Sequence, residues 1–158
     1  MAKEIQDVLS NLLTKGKKTI SVAESCTGGL IASIITNAPG SSVYFGGGLI
    51  AYSNHAKIDL LKVPERIIQE DGAVSRNCAV AMAKNIRVLL RTDIGLGVTG
   101  IAGPNGGSAI KPTGSVYIAV SDGDKAMCKL FRFEGGRSQV RQKASMSAIK
   151  MVNELISK

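Results

Sequence analysis

Two nucleophilic side chains stand next to each other in the segment AESCTGG, residues 23–29. The hydroxyl of Ser25 and the thiol of Cys26 follow an apolar run typical of a strand and precede an apolar run typical of a helix. A strand-to-helix turn of this kind can expose a nucleophile and point backbone N–H groups at a developing oxyanion. A simple capped helix with a glycine-rich start explains the same spacing equally well.

A second group of polar residues, AYSNHAK, occupies residues 51–57, where a predicted strand joins a short predicted helix. Lys57 falls in the first turns of that helix, where a lysine is ordinarily solvated. It can accept a proton near neutral pH only if burial or a cationic neighbour lowers its pKa. His55, the only histidine in the chain, is a rival base because its ring titrates near neutrality.

A glycine-rich loop, residues 99–107, leaves the end of a predicted strand. Ligands bind at the carboxyl ends of strands in open α/β sheets, and glycines let backbone N–H groups approach a phosphate or a ring closely. The overlapping segment GLGVTG, residues 95–100, has the spacing of a dinucleotide-binding motif, but no helix follows it, so that interpretation is rejected. A flexible connection is the alternative for the loop.

Arg137 stands where the last predicted helix begins. An arginine at a helix N-terminus can join backbone donors in an anion site. A solvated arginine explains the same position.

The elements that must position these residues alternate in the first half of the chain. Apolar periodicity and glycine or proline breaks predict the order α-β-α-β-α-α-α-β-β-β-α, with a final hairpin turning at residues 122–124. Three glycines at 46–48 in the second strand predict a bulge or a close backbone approach. We expect an α/β fold in a single domain, residues 1–158, arranged as a three-layer α/β/α sandwich. Its mixed sheet has about five strands and ends in a C-terminal β-hairpin.

The bulk composition argues against several kinds of protein. The chain has 158 residues, a formal net charge of +8 and three cysteines, at positions 26, 78 and 128. The lack of a C-x-x-C pair and the single histidine argue against a zinc site and a disulfide framework, so no metal and no cofactor are predicted. No apolar run reaches membrane-spanning length, and the cysteine usage fits the cytoplasm. The scattered positive charge suits an anionic metabolite better than nucleic acid.

Five short motifs, in this order, resemble one protein family. They are AESCTGG at 23–29, PGSS at 39–42, AYSNHAK at 51–57, GAVS at 72–75 and VTGIAGP at 98–104. The chain is similar to the CinA C-terminal-domain family, and it looks like a stand-alone member of the PncC-type nicotinamide mononucleotide amidohydrolases. The resemblance implies hydrolysis of the carboxamide of nicotinamide mononucleotide to nicotinate mononucleotide and ammonia, in pyridine-nucleotide salvage.

The resemblance also implies roles for individual residues. Ser25 is expected to be the nucleophile, Lys57 its general base, and Tyr52 a group that orients the proton transfer; a Ser–Lys pair needs no metal. The expected oxyanion donors are the backbone N–H groups of Cys26, Thr27 and Gly28. The expected substrate contacts are Gly46, Asn54, Thr99, Gly100, Gly103 and Arg137. The chain departs from the family at Asn105 and Gly136, and neither departure touches Ser25 or Lys57.

Two alternatives remain open at this point. Cys26 could be the nucleophile, because a helix N-terminus would lower the pKa of its thiol. The chain could instead be a non-catalytic nucleotide-binding module, or an interaction module connected with competence and DNA damage. A small-molecule mononucleotide is the expected substrate, and a homo-oligomer is the expected assembly.

Overall fold

Five strands form one mixed sheet in the order β2-β1-β3-β4-β5. The structure, a computed structural model, describes residues 2–123 and 125–157, so Asp124 of the predicted hairpin turn lies outside the described residues. The strands are β1 Ile20–Glu24, β2 Phe45–Ile50, β3 Ile94–Gly100, β4 Ser115–Asp122 and β5 Lys125–Arg132. β1 pairs in parallel with β2 and β3, whereas β4 is antiparallel to both β3 and β5. The predicted mixed, five-stranded sheet with a terminal hairpin is therefore confirmed.

Helices cover both faces of this sheet. They are α1 Ala2–Gly16, α2 Leu30–Thr36, α3 Asn54–Asp59, α4 Glu65–Glu70, α5 Arg76–Leu89 and α6 Arg137–Ile156, with a 3-10 turn at Ser41–Val43. α1, α2 and α6 pack together on one face, while α3, α4 and α5 lie on the other. The order of helices and strands matches the predicted order. Within the part of the chain described, none of these helices has the length and apolar character needed to cross a membrane.

The helix α5 begins at a side-chain cap and packs closely against a glycine of the sheet. The Ser75 hydroxyl accepts a hydrogen bond from the Cys78 backbone N–H and caps the helix. A Cβ atom at Gly97 of β3 would collide with the Ala79 carbonyl oxygen of α5, so glycine permits the close approach. The GLGVTG segment therefore forms most of β3, and its glycines allow α5 to pack closely against that strand.

The glycines of β2 produce the predicted bulge. Ile20 of β1 pairs with Phe45 and Ser21 pairs with Gly47, which leaves Gly46 as the extra residue. A Cβ atom at Gly46 would also collide with the side chain of Thr92. Gly46 therefore shapes the start of β2, at the end of the sheet where β1 begins.

The parallel strands β2, β1 and β3 bring their carboxyl ends to one edge of the sheet. The chain leaves β1 for β2 on one side and later returns to β3 on the other side, so this edge is a topological switch point. Open α/β sheets bind ligands in the crevice outside such a point. Most of the predicted site residues lie at the ends of these strands or in the segments that follow them, while Gly46 lies at the start of β2 and Arg137 at the start of α6.

Candidate active site

A cavity of about 270 Å³ opens at this edge of the sheet. It is lined by side chains and backbone from the turn after β1, the β2–α3 connection and the loop after β3. Nine predicted site residues are among its lining: Ser25, Cys26, Tyr52, Asn54, Lys57, Thr99, Gly100, Gly103 and Arg137. Residues that lie far apart in the sequence thus meet in one crevice.

Ser25 and Lys57 are in direct contact at the base of the cavity. Lys57 Nζ lies 2.9 Å from Ser25 Oγ, 2.9 Å from the Ala51 carbonyl oxygen and 3.3 Å from the Tyr52 carbonyl oxygen. Lys57 is only 2% exposed and Ser25 only 7%. The backbone of Ser25 is fixed as well, because its N–H donates to the Val98 carbonyl of β3.

The environment of Lys57 favours the neutral amine. Burial lowers the pKa of Lys57 because the charged ammonium loses its hydration, and the nearby thiols of Cys78 and Cys26 oppose this effect only in part. None of the ion pairs found among the described residues includes Lys57. A buried lysine without a carboxylate partner can serve as a proton acceptor.

The turn between β1 and α2 is organised by the buried carboxylate of Glu24. Its oxygens accept backbone N–H groups from Gly29 at 3.0 Å, Ile31 at 3.2 Å and Ala32 at 2.8 Å. Glu24 is 1% exposed, so this carboxylate lies within the fold. The sequence predicted that the start of the helix would point donors at a ligand, but Glu24 occupies those donors. The helix α2 begins at Leu30, with Gly29 as its N-cap.

The two residues that follow Ser25 differ from the rest of the turn in their backbone N–H groups. Within the described residues, no oxygen atom accepts the backbone N–H of Cys26 or Thr27. The N–H of Gly28 donates to the Ser25 carbonyl at 3.1 Å. The prediction of Gly28 as an oxyanion donor is therefore wrong, because its hydrogen is already used inside the turn. Of the two residues that follow Ser25, Cys26 lines the cavity, where its backbone N–H can meet an oxyanion, whereas Thr27 is 0% exposed and does not line the cavity.

The thiol of Cys26 is placed in the cavity wall in an unreactive state. Burial raises the pKa of Cys26 to about 11, and the Cys26 backbone N–H together with the charges of Lys57 and Arg141 offsets this only in part. The expectation that a helix N-terminus lowers this pKa is wrong, because the effect of burial is larger than the effects that lower it. A thiol with this pKa is almost entirely protonated at neutral pH and is a poor nucleophile.

Tyr52 contributes to the site in two separate ways. Its carbonyl oxygen accepts from Lys57, whereas its hydroxyl points away from that pair and accepts a hydrogen bond from Arg137 Nη2 at 2.7 Å. Arg137 Nη1 also donates to the Gly103 carbonyl at 2.9 Å. The side chains of Tyr52 and Arg137 therefore bridge the mouth of the cavity, and only the backbone of Tyr52 orients the lysine.

The remaining predicted contacts divide into those that reach the cavity and those that do not. Thr99 lines it and donates its hydroxyl hydrogen to the Ala73 carbonyl at 2.7 Å. Gly46 lies at the other end of β1 from Ser25, so its predicted substrate contact is corrected to a structural role in the bulge. His55, the rival base, is exposed and does not line the cavity.

Some cavity residues had no predicted role. Ala73 and Val74 line the wall opposite the turn, and Asn105 and Gly106 of the loop line the mouth. The GAVS motif at 72–75 was the sequence signal for the first two. Arg141 carried no signal, although its Nη2 atom donates to the Thr27 carbonyl at 2.9 Å.

The described residues offer no obvious metal centre. Among them, no group of three or more histidine, cysteine, aspartate or glutamate side chains is close enough to hold an ion. The three cysteines are buried free thiols.

Known proteins are similar to this chain in sequence. Residues 2–156 match the CinA C-terminal domain family. A CinA-like protein of Geotalea daltonii is 51% identical over 145 residues, which are 92% of this chain and 35% of the relative. A CinA-like protein of Koribacter versatilis is 47% identical over 152 residues, 96% of this chain and 37% of the relative. The chain thus spans about a third of the length of these curated relatives.

Solved structures agree over nearly the whole fold. A CinA superfamily protein from Klebsiella pneumoniae superposes with a TM-score of 0.96 at 27% identity, covering 99% of this chain and 98% of the other. The competence/damage inducible protein CihA from Agrobacterium tumefaciens superposes with a TM-score of 0.91 at 35% identity, covering 98% and 96%. From its sequence match and its fold, this chain belongs to the CinA C-terminal domain family.

Proposed function

We propose that this protein is a Ser–Lys amidohydrolase that converts nicotinamide mononucleotide to nicotinate mononucleotide and ammonia. The observation that carries the proposal is the 2.9 Å contact between Ser25 Oγ and the buried Lys57 Nζ at the base of a cavity. A nucleophile in contact with a base of lowered pKa is the arrangement that covalent acyl transfer requires. The motif resemblance supplies the choice of substrate.

The hydrogen bonds of Lys57 suit a general base. A neutral amine has two hydrogens to donate and one lone pair to accept a proton. The carbonyl oxygens of Ala51 and Tyr52 take the two hydrogens, so the lone pair is left for the hydroxyl of Ser25. Lys57 thus accepts the proton of Ser25 as Oγ attacks the carboxamide carbon.

The first half of the reaction releases ammonia. Attack by Ser25 Oγ forms a C–O bond and places negative charge on the former carbonyl oxygen. The backbone N–H of Cys26 stabilises that oxyanion. The protonated Lys57 then gives its proton to the amide nitrogen, the C–N bond breaks, and ammonia leaves an ester on Ser25.

The second half restores the enzyme. Lys57, neutral again, accepts a proton from water, and the resulting hydroxide attacks the ester carbon. The C–O bond to Ser25 breaks and Oγ takes the proton back from Lys57. The carboxylic acid that is released loses its own proton to solvent and departs as the carboxylate product. The same lysine acts as base and acid in both halves, as the corresponding base does in other acyl-transfer enzymes.

Arg137 supports an anionic substrate group at the cavity mouth. Its guanidinium is bonded to a carbonyl oxygen and a phenol, both neutral, and none of the ion pairs among the described residues includes it. A phosphate accepts paired N–H donors from such a guanidinium. We assign the phosphate of the mononucleotide to Arg137. We place the activity in the cytoplasm, where the three free thiols would persist.

A binding-only function is the alternative, and the names of some relatives connect them with competence or damage induction. The buried Ser25–Lys57 contact favours catalysis. Placing an unpaired amine in the interior costs stability, and a module that only binds a nucleotide gains nothing from that arrangement.

The test is ammonia release from nicotinamide mononucleotide by the wild type, Ser25→Ala and Cys26→Ala. We expect turnover in the wild type, retained turnover in Cys26→Ala, and at least a 10³-fold loss in Ser25→Ala. Mass spectrometry of a quenched reaction is expected to find the nicotinate ester on the peptide that contains Ser25. Tight binding of the mononucleotide without any ammonia release from the wild type would replace this proposal with the binding module.

A further inference from the structure

The nucleophile turn, residues 25–29, is held by two charged side chains that do not line the cavity. Glu24 accepts three backbone N–H groups on the helix side of the turn. Arg141 donates to the Thr27 carbonyl at 2.9 Å from the other side. Hydrogen bonds to charged groups are about twice as strong as neutral ones. The turn is thus clamped through its backbone by one anion and one cation.

The clamp has a consequence for the free donors of the turn. The N–H and C=O groups of a trans peptide point in opposite directions. The bond from Arg141 fixes the carbonyl of Thr27, so the N–H of Gly28 points the opposite way, toward the Ser25 carbonyl. The Ser25 carbonyl belongs to the same peptide group as the N–H of Cys26. Because this carbonyl points into the turn, the N–H of Cys26 points away from the interior of the turn. The direction of the proposed oxyanion donor depends on this chain of bonds.

Glu24 acts on the helix side of the same turn. Without it, the backbone N–H groups of Gly29, Ile31 and Ala32 would be unsatisfied at the start of α2. The buried carboxylate accepts all three of these donors and so fixes the helix side of the turn.

The α6 helix connects the two halves of the site. Arg137 and Arg141 lie one helical turn apart, so they project from the same face of α6. Arg137 reaches the cavity mouth and Arg141 reaches the nucleophile turn. A single helix therefore sets the distance between the substrate-facing cation and the reacting hydroxyl.

We infer that Glu24 and Arg141 are positioning residues for the reaction: they orient the backbone N–H of Cys26 toward the oxyanion without touching the substrate. This inference rests on the proposed Ser25 chemistry. It concerns the rate of attack by Ser25 and leaves the proton affinity of Lys57 unchanged. The two residues act through the backbone of the turn, so loss of either lowers the rate constant rather than the affinity for substrate.

The test measures Ser25 directly with a small dialkyl fluorophosphate. Ser25 Oγ attacks phosphorus, an O–P bond forms, the P–F bond breaks, fluoride leaves, and Lys57 takes the hydroxyl proton. The rate of labelling is followed by mass spectrometry as a function of pH, giving a plateau rate and a midpoint. The proteins are the wild type, Glu24→Gln, Arg141→Met and Arg141→Lys, each below its melting temperature. Lys143→Met is the matched control, because it removes an exposed cation of α6 that bonds only the Glu134 carbonyl.

We expect the plateau rate to fall about 10-fold or more in Glu24→Gln and Arg141→Met, with the pH midpoint unchanged. Arg141→Lys is expected to recover part of the rate, since it retains a cationic donor, and Lys143→Met to match the wild type. In the ammonia assay, kcat is expected to fall while KM stays within about 2-fold. Arg141→Met carries the test alone if Glu24→Gln does not fold.

Three outcomes would overturn the inference, each in a different way. Folded variants whose plateau rate lies within about 2-fold of the wild type would reduce Glu24 and Arg141 to a role in stability and leave the Ser–Lys proposal intact. A wild-type protein that is never labelled at Ser25 would overturn both. A shifted midpoint with an unchanged plateau would also contradict the inference, because it would assign the effect to Lys57.

Discussion

The polar side chains on the two sides of the cavity differ in their exposure to solvent. On the inner side, Lys57 is 2% exposed, and Glu24, which does not itself line the cavity, is 1% exposed; both are held by backbone groups. On the outer side, Tyr52 is 57% exposed and Arg137 lies at the surface with it. The inner side is part of the core, whereas the outer side faces solvent.

The difference separates reactivity from recognition. Burial alters the proton affinity of Lys57 because water cannot solvate its charge. Arg137 stays charged on the outer side and can form and break contacts as a ligand enters. Substitutions on the inner side should therefore change the rate constant of the chemical step, and substitutions on the outer side should change the affinity for substrate.

The largest expected effect comes from removing the base while keeping a positive charge. In Lys57→Arg the guanidinium stays protonated at any working pH, so it cannot accept the Ser25 proton. We expect kcat for ammonia release to fall at least 10³-fold, with no recovery up to pH 10. In the wild type, activity rises with pH through the lowered pKa of Lys57, so its midpoint lies below the ordinary lysine value of about 10.4. Lys57→Met is the second variant, in case the larger arginine disturbs the core.

A smaller effect is expected on the outer side. Arg137→Met removes the guanidinium and should raise KM for nicotinamide mononucleotide about 10- to 100-fold with little change in kcat. Arg132→Met, which removes an exposed cation of β5, is the matched control. If the assigned phosphate contact is correct, Arg137→Met has little effect on nicotinamide riboside, which lacks the phosphate. If Arg137→Met lowered kcat/KM equally for both substrates, Arg137 would act in the reaction and would not bind the phosphate.

The sequence was sufficient for much of this site because its residues lie at strand ends. Ser25 follows β1 and Thr99 ends β3, so their meeting at one sheet edge follows from the predicted order of strands and helices. Which backbone donors are free could not be predicted. That depends on Arg141, which reaches a carbonyl 114 positions away in the chain. Gly46 was misplaced because a glycine within a strand is equally consistent with ligand contact and with a bulge.

A stability measurement probes the inner side independently of activity. Because the pKa of Lys57 is lowered in the folded protein, the unfolded chain binds more protons between that pKa and the ordinary value. The free energy of unfolding of the wild type therefore gains a contribution as pH rises through this window, by at most about 1.4 kcal/mol per pH unit. In Lys57→Met this gain is absent. We expect the stability of the variant relative to the wild type to be greatest at low pH and to decline toward pH 10. Denaturant unfolding at several pH values measures it, and a parallel pH dependence in both proteins would contradict a lowered pKa.

The smallest effect is expected from the neighbour of the nucleophile. The Cys26 thiol is protonated at neutral pH because burial raises its pKa to about 11, and the proposed reaction uses only its backbone N–H. Cys26→Ala keeps that N–H, so kcat/KM should change less than about 3-fold. Cys26→Pro removes the N–H and should lose activity, although a proline there could also disturb the turn. The decisive comparison is therefore between Cys26→Ala and Ser25→Ala, which place the same small side chain at two neighbouring positions in the lining of the cavity. If kcat/KM fell as far in Cys26→Ala as in Ser25→Ala, the thiol would take part in the reaction. The distinction between a reactive Ser25 hydroxyl and an unreactive Cys26 side chain would then be wrong.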